Sequence, residues 1–341
     1  MFHAPRIEVL DFVYHPLLRV FIESARGLAI VSLLAWNFAA VKSLREFETI
    51  IRLFVAGGAI AGIYGFYGLV SMQLGLSLPL IPGTLSLPNH PRPFSTFYEP
   101  TGLGSFAAVG TILSIYLISV VRPGHRLGAI ASLGANILGL MASLSRAAFV
   151  GFLTGFLLLQ FTLAIRLQVR RAVRGIVVLG LLMIPSFTIV RHLLPDVAGI
   201  SLSTWWFYES MKDRIEVYQT AFSLVREFPL GIGQGMLVFF IGGAAGFARL
   251  LIEGGLLASL LLLVVHAGIG ICSLRLLWTN EMRVAKAAPY VIAAYLVTVV
   301  TTINYINTTD AWIWFIWTLP LVLDSVRARH ALIPSSRADR S

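Results

Sequence analysis

Long apolar stretches separated by short charged connections dominate this chain. A bilayer core of about 30 Å requires about 20 apolar helical residues, and about nine stretches approach or reach that length. They lie near residues 27–41, 50–74, 101–121, 127–144, 147–165, 175–193, 250–274, 288–306 and 312–326. The pattern predicts an all-α fold, a polytopic transmembrane helix bundle of about nine spans. The first stretch is short and also fits an interfacial or half-buried helix.

A long polar-apolar segment, residues 194–249, interrupts this pattern. Roughly 55 residues separate two spans here, which is too long for a plain connector. Within the segment, residues 210–227 predict an amphipathic helix, because Ile215, Tyr218, Phe222 and Val225 recur on one face. The glycine-rich run that follows predicts a broken or re-entrant stretch.

These elements divide the chain into five segments. Residues 1–26 form an N-terminal external or interfacial segment, residues 27–193 hold spans one to six, and residues 194–249 form an external (periplasmic) loop. Spans seven to nine occupy residues 250–326, and residues 327–341 form a cytoplasmic tail.

Composition supports a membrane protein. Hydrophobic residues make up 57% of the 341 residues and charged residues 12%, whereas soluble domains contain about 25% charged residues. The net charge of +10 predicts cytoplasmic loops rather than nucleic-acid binding, because basic residues cluster in such loops. The single cysteine, Cys272, excludes an internal disulfide and a cysteine-based metal cluster.

The basic residues also predict the orientation. Alternate connections hold most of them, around residues 42–52, 122–126, 166–174, 275–286 and 327–340, and the positive-inside rule makes these connections cytoplasmic. The external connections are then 75–100, 145–146, 194–249 and 307–311. The C-terminus is therefore expected inside and, with nine spans, the N-terminus outside, which suggests that further spans precede it.

Several arginines nevertheless lie on the predicted external side. Arginine's planar fork suits phosphate, so these residues predict a membrane enzyme or carrier for an anionic, diphosphate-bearing, lipid-linked substrate. A general bias toward arginine over lysine is the alternative explanation. The residues are Arg92, Arg146, Arg191, Arg214, Arg226 and, at the outer end of a span, Arg249.

Two of the candidate motifs lie before residue 150. Residues 92–100 read Arg-Pro-Phe-Ser-Thr-Phe-Tyr-Glu-Pro. They fit either a substrate loop, with Arg92 on phosphate and Glu99 as base or orienting group, or a proline-rich loop with a surface ion pair. The second motif is the tight turn Leu144-Ser145-Arg146, where Arg146 either reaches the membrane interface or points into a cavity.

Two further motifs follow the amphipathic pattern. Arg214 and Tyr218 share a helix face at i, i+4, and the N–H groups around Gly231 and Gly233 in the run Pro-Leu-Gly-Ile-Gly could cradle an oxyanion. Arg249 and Glu253, again at i, i+4, are either substrate ligands or an ion pair that eases burial.

The chain lacks the motifs of other chemistries. It has no Walker-type phosphate loop, and no histidine has metal-ligand spacing with supporting ligands. His90 and His192 are external and remain candidate bases. No cofactor and no metal are expected.

Taken in order, the motifs resemble the O-antigen ligase and O-antigen polymerase family over roughly residues 50–325. The matching pieces are the loop from Arg92 to Thr101, Ser145-Arg146, Arg214-x-x-x-Tyr218, Pro229-x-Gly-x-Gly233 and Ile252-Glu-Gly-Gly255. The resemblance implies a fold of the membrane C type of lipid-dependent glycosyltransferases. It also implies metal-independent transfer of a glycan from an undecaprenyl-diphosphate carrier to a glycan or lipid acceptor. External arginines would hold the diphosphate, and Arg146 and Arg214 match family arginines best.

One departure from the family pattern concerns the base. Many ligases carry a histidine about nine residues before the motif glutamate, whereas residues 243–246 here read Gly-Ala-Ala-Gly. Either Glu99 or another group serves as base, or the chain belongs to a polymerase-like branch, which we favour over a ligase, or it is degenerate. A secondary transporter or flippase, and a non-catalytic partner of other polysaccharide-assembly proteins, remain the alternatives.

Overall fold

A computed structural model describes residues 16–74, 85–87, 90–92, 100–166, 168–193, 209–233, 246–304 and 311–332. These residues form ten α-helices: α1 (Pro16–Ala40), α2 (Leu44–Gln73), α3 (Pro100–Val120), α4 (Arg126–Ala142), α5 (Arg146–Ile165), α6 (Val169–Leu193), α7 (Glu209–Glu227), α8 (Gly246–Leu277), α9 (Met282–Asn304) and α10 (Ala311–Leu332). A 3₁₀ turn, Pro123–His125, precedes α4, and two short strands, β1 (Leu85–Leu87) and β2 (His90–Arg92), pair antiparallel.

The predicted helical fold is confirmed. Each of the nine predicted spans contains a helix, and the predicted amphipathic helix 210–227 is α7. Within the described residues, six helices are long and apolar enough to cross a membrane, namely α2, α3, α5, α6, α8 and α9. The chain is therefore a multi-pass α-helical membrane protein, while nine as the number of spans stays a prediction. The β1–β2 hairpin within the loop 75–100 was not predicted.

The structure divides into two units, which we describe separately. The first comprises residues 1–37, 208–268 and 302–315, and the second comprises residues 38–207, 269–301 and 316–341.

In the second unit, small residues bring helices into direct backbone contact. A Cβ atom on Gly139 of α4 would lie 2.5 Å from the Cα atom of Gly62 on α2. Asn136, fully buried on α4, donates from Nδ2 to the Val55 carbonyl at 3.3 Å. Such small-residue contacts and interhelical hydrogen bonds are typical of packing in a bilayer, where lipid removes the hydrophobic drive for association.

Glycines serve the same purpose between α5 and α9. A Cβ atom on Gly155 would lie 2.8 Å from the Ala293 carbonyl oxygen, and one on Gly151 would lie 3.0 Å from the Val297 carbonyl oxygen. The two helices therefore approach each other through their backbones, and α5 carries Arg146 at the end of this contact.

Candidate active site

The Ser145–Arg146 motif lies where α4 gives way to α5. The turn comprises residues 143–145, and Arg146 is the first residue of α5 rather than part of the turn. Ser145 is buried and caps α5, because its Oγ accepts a hydrogen bond from the Ala148 N–H at 3.3 Å. Ser143 is also buried, and its Oγ donates to the Leu140 carbonyl at 2.7 Å. The buried serines and their hydrogen bonds therefore stabilise the junction between α4 and α5.

Leu144 gives this turn an unusual backbone. Its φ of 48° is the only positive value among the non-glycine residues that the structure describes. A left-handed conformation costs a residue with a Cβ atom about 1–2 kcal/mol, and such strain tends to occur where function needs a particular geometry. Leu144 was not predicted as a site residue, and its sequence gives no signal of the conformation.

Arg146 occupies an electrostatically unfavourable position. It is partly buried at the first position of α5, where the helix dipole presents positive charge and disfavours a cation by about 0.3–1 kcal/mol. The helix end and the guanidinium together create a place that suits an anion.

The helix that follows the proline-rich loop begins beside this turn. α3 starts at Pro100, and a Cβ atom on Gly104 would lie 2.8 Å from the Ala148 Cβ atom and would also collide with Ser143 Oγ. Gly104 therefore allows α3 to pack against the residues that flank Arg146. Glu99, the candidate base, directly precedes α3 in sequence and lies outside the described residues.

In the first unit, α7 is followed by a short connection, residues 228–233, that we call the strap. Its backbone is hydrogen bonded to α8: the Ile232 N–H donates to the Ile252 carbonyl at 3.0 Å, and the Gly233 N–H donates to the Glu253 carbonyl at 3.1 Å. In return, the Leu256 N–H donates to the Pro229 carbonyl at 2.9 Å. The motifs Pro229-x-Gly-x-Gly233 and Ile252-Glu-Gly-Gly255 are therefore hydrogen bonded to each other.

The strap lies against a break in α8. Gly255 has φ 65° and ψ −165° inside the helix, a conformation that is essentially restricted to glycine. At the break, the Glu253 carbonyl and the Leu256 N–H form hydrogen bonds with the strap instead of with the helix. The sequence predicted a close backbone approach at Gly231 and Gly233, and α8 makes that approach. Because the Gly231 N–H donates to Phe228 and the Gly233 N–H to Glu253, neither group is left for the predicted oxyanion.

Arg249 and Glu253 form an ion pair on α8. Arg249 Nε lies 3.0 Å from Glu253 Oε2, and the two side chains are only 10% and 8% exposed. Burial of either charge alone would be costly, so the pairing favours the interpretation that the two charges neutralise each other where the chain enters the membrane.

The inner face of α7 differs from the predicted one. Tyr218 and Val225 pack as predicted against a core formed with α8, whereas Ile215 and Phe222 are more than half exposed. The fully buried Ala221 lies at the centre of the contact, because a small residue lets the two helices approach closely. The core comprises Ala221, Ala248, Leu251 and Ile252, with Val217, Tyr218, Leu224, Val225 and Ile232 packed around it.

Three further candidate arginines lie in described helices or strands. Arg92 ends β2, paired with Leu85, and Arg191 lies in the last turn of α6. Arg214 lies in α7, one helical turn before Tyr218. Their roles stay predictions.

The helices and these motifs define a multi-pass membrane protein with buried polar motifs at its helix junctions. Residues 129–251 match the family model described as O-Antigen ligase. This match supports the O-antigen ligase/polymerase family that the motifs resemble, and with it an O-antigen ligase/polymerase-type membrane glycosyltransferase. The matched region contains Arg146, Arg214, the strap and Arg249; it excludes the loop 92–100 and Glu253. No curated protein and no solved structure matches the chain.

Proposed function

We propose that the protein transfers a glycan from an undecaprenyl-diphosphate carrier to a sugar hydroxyl on the external face of a bacterial inner membrane. The observation that carries this proposal is the position of Arg146. It lies within the matched family region, at the first residue of a helix, where the helix dipole and the guanidinium both favour an anion.

In this reaction the acceptor hydroxyl oxygen attacks the anomeric carbon of the donor sugar. The bond between that carbon and the diphosphate oxygen breaks, and negative charge develops on the leaving diphosphate. Arg146 and Arg214, with Arg92 and Arg191 as further candidates, stabilise this charge by bidentate hydrogen bonds. Arginines that carry this charge make a metal ion unnecessary for the leaving group.

A base must accept the proton of the acceptor hydroxyl. Glu99 is our candidate, because it directly precedes α3, whose first turns pack beside the Ser145–Arg146 junction. The absence of a histidine from residues 243–246 favours a polymerase-like enzyme, in which the acceptor is another glycan chain, over a ligase.

The charges at the two ends of α5 support the proposed orientation. Arg146 begins the helix, whereas Arg166, Arg170, Arg171 and Arg174 cluster beyond its other end. The positive-inside rule places that cluster in the cytoplasm and Arg146 outside. By the same rule the C-terminus is cytoplasmic.

A secondary transporter or flippase is the second candidate, favoured by the break in α8 at Gly255. Broken helices line substrate sites in many transporters. Such a protein would move a lipid-linked glycan and leave its diphosphate bond intact.

The test incubates the purified full-length protein in liposomes with the undecaprenyl-diphosphate-linked oligosaccharide of its host. We expect release of undecaprenyl diphosphate together with a lengthened glycan. Movement of intact substrate across the bilayer without release would contradict the transferase and support the transporter. A control with chelator added should react at the same rate, because the proposal involves no metal ion.

A further inference from the structure

A basic cleft lies at the end of α5 remote from Arg146. It has a volume of about 650 Å³ and is lined by the start of α6 and the start of α9. Three of its lining residues are cations: Arg170, Arg171 and Lys286. None of the lining residues is a carboxylate. The neighbouring Glu281, which precedes α9, does not line the cleft. The cleft therefore carries net positive charge.

Arg166 holds the two walls of the cleft together. Its Nη1 donates to the Ala285 carbonyl at 2.5 Å, and its Nη2 donates to the carbonyls of Leu276, at 2.9 Å, and Leu277. These last two carbonyls end α8, where a cation is favoured. Burial lowers the pKa of the Arg166 guanidinium, but arginine remains charged at neutral pH. Arg166 thus connects the two walls, and the other three cations line the cleft.

The cations of the cleft are available to a ligand. Among the described residues, no carboxylate lies within ion-pair distance of Arg170, Arg171 or Lys286. Arg171 donates one hydrogen bond, from Nη1 to Gln168 Oε1 at 2.7 Å, which leaves most of its N–H donors. α6 and α9 both begin at the cleft, so their dipoles add positive potential.

The cleft is separate from the proposed active site. α5 has 20 residues, which span about 30 Å, and Arg146 lies at one end while Arg166 and the cleft lie at the other. If Arg146 faces the outside, the cleft faces the cytoplasm. A diphosphate bound at Arg146 cannot reach it.

An apolar stripe continues from the cleft along α6. Val173, Val177, Leu181 and Ile184 follow Arg170 at steps of three or four residues, so all five lie on one helix face. All four apolar side chains are more than half exposed. A ligand with a phosphate group at one end and hydrocarbon chains at the other matches the cleft and the stripe together, whereas a soluble phosphate matches the cleft alone.

We propose that this cleft binds the headgroup phosphate of an anionic phospholipid of the cytoplasmic leaflet, with the acyl chains along the exposed face of α6. Arg170, Arg171 and Lys286 are its phosphate ligands. Basic pockets between membrane helices on the cytoplasmic side are suited to anionic headgroups.

Native mass spectrometry of the delipidated full-length protein tests the proposal. The probes are short-chain phosphatidylglycerol, short-chain phosphatidylcholine and inorganic phosphate. We expect one phosphatidylglycerol to bind preferentially, phosphatidylcholine to bind at least tenfold more weakly, and millimolar phosphate not to displace the lipid. Each cation near a headgroup contributes a factor of about five, so the variant R170Q/R171Q/K286Q should lose on the order of 100-fold in affinity.

The matched control is R122Q/R126Q/R283Q. It removes the same number of charges from exposed positions on the same predicted side, outside the cleft. We expect it to keep the affinity of the wild type within about threefold, because general electrostatic attraction is screened within a Debye length. Equal losses in the two variants would overturn the proposal, as would equal binding of the zwitterionic lipid. Displacement by inorganic phosphate alone would assign the cleft to a soluble phosphate and would equally overturn the lipid proposal. None of these outcomes depends on glycan transfer.

Discussion

Gly231 of the strap and Gly255 of α8 pack backbone against backbone. A Cβ atom on Gly231 would lie 2.6 Å from the Gly255 nitrogen, and a Cβ atom on Gly255 would collide with Gly231 N and the Pro229 carbonyl oxygen. Both residues have positive φ, 87° and 65°. The contact links two glycine motifs that lie more than twenty residues apart in the sequence.

We therefore expect Gly255→Ala to destabilise the protein. The alanine would meet backbone atoms that cannot move aside, and its conformation alone costs about 1–3 kcal/mol. The melting temperature of the detergent-solubilised chain measures the effect. Gly268→Ala, on the same helix in open space, is the matched control and should be neutral or stabilising by up to about 1 kcal/mol. Equal melting temperatures for Gly255→Ala and wild type would contradict the strap contact.

The buried pair Arg249–Glu253 allows a second prediction. Removal of either partner breaks a buried ion pair, so Arg249→Ala and Glu253→Ala should each cost about 3–5 kcal/mol of stability. The double variant R249M/E253M removes both charges and should regain stability and glycan transfer. A double variant that folds well but transfers nothing would instead assign the pair to substrate binding.

The contact between α2 and α4 gives a third prediction. Gly139→Ala would force α4 away from Gly62, because its Cβ atom would lie 2.5 Å from the Gly62 Cα atom. Overpacking of this kind costs about 1–3 kcal/mol, which thermal unfolding in detergent would report. Gly134→Ala lies on the same helix with no heavy atom within 4 Å and should melt like the wild type. If both variants melt alike, the helices do not pack through these glycines.

The sequence predicted the helices well because each depends on local composition. The bilayer requires long apolar stretches, and every predicted one contains a helix. The break at Gly255 was not predicted, since it depends on the strap, a contact between separate stretches of sequence. The prediction of the inner face of α7 was partly wrong for the same reason. Phe222 is apolar yet exposed, and Ala221 forms the contact with α8.

The candidate site shows a similar limit. Ser145-Arg146 could be singled out as a candidate because topology rules, which apply to sequence alone, predict an arginine on the external side there. Two other features could not be predicted from the sequence: the positive φ of Leu144 and the packing of Gly104 against the turn. Both depend on the contacts among α3, α4 and α5. The basic cleft was not predicted either, since its cations were used only to predict which side of the membrane is cytoplasmic.

Arg214 on α7 gives the fourth prediction. We expect Arg214→Ala to abolish glycan transfer while expression and melting temperature stay unchanged, because its proposed partner is the substrate. Arg226→Ala is the matched control, since Arg226 is an exposed arginine farther along the same helix that is not among the proposed diphosphate ligands. Its loss should leave the rate nearly unchanged. Similar rates for the two variants would remove Arg214 from the proposed diphosphate site.

Arg146 gives the sharpest test of the proposed chemistry. Loss of a group that stabilises developing charge typically lowers the rate by about 100–1,000-fold, so we expect a fall of that size in the transfer rate of Arg146→Ala. Expression of the variant should be retained, so that the fall in rate reports the reaction and not the amount of protein.

The matched control for this prediction is Arg126→Ala. Arg126 is likewise the first residue of its helix, α4, but it lies at the other end of that helix from the Ser145–Arg146 junction. The two substitutions therefore remove the same charge from the same helix position on opposite predicted sides of the membrane. Arg126→Ala should keep the wild-type rate. If Arg146→Ala kept it as well, the diphosphate would have to be bound elsewhere. If both variants lost activity equally, net charge rather than a specific contact would control the reaction.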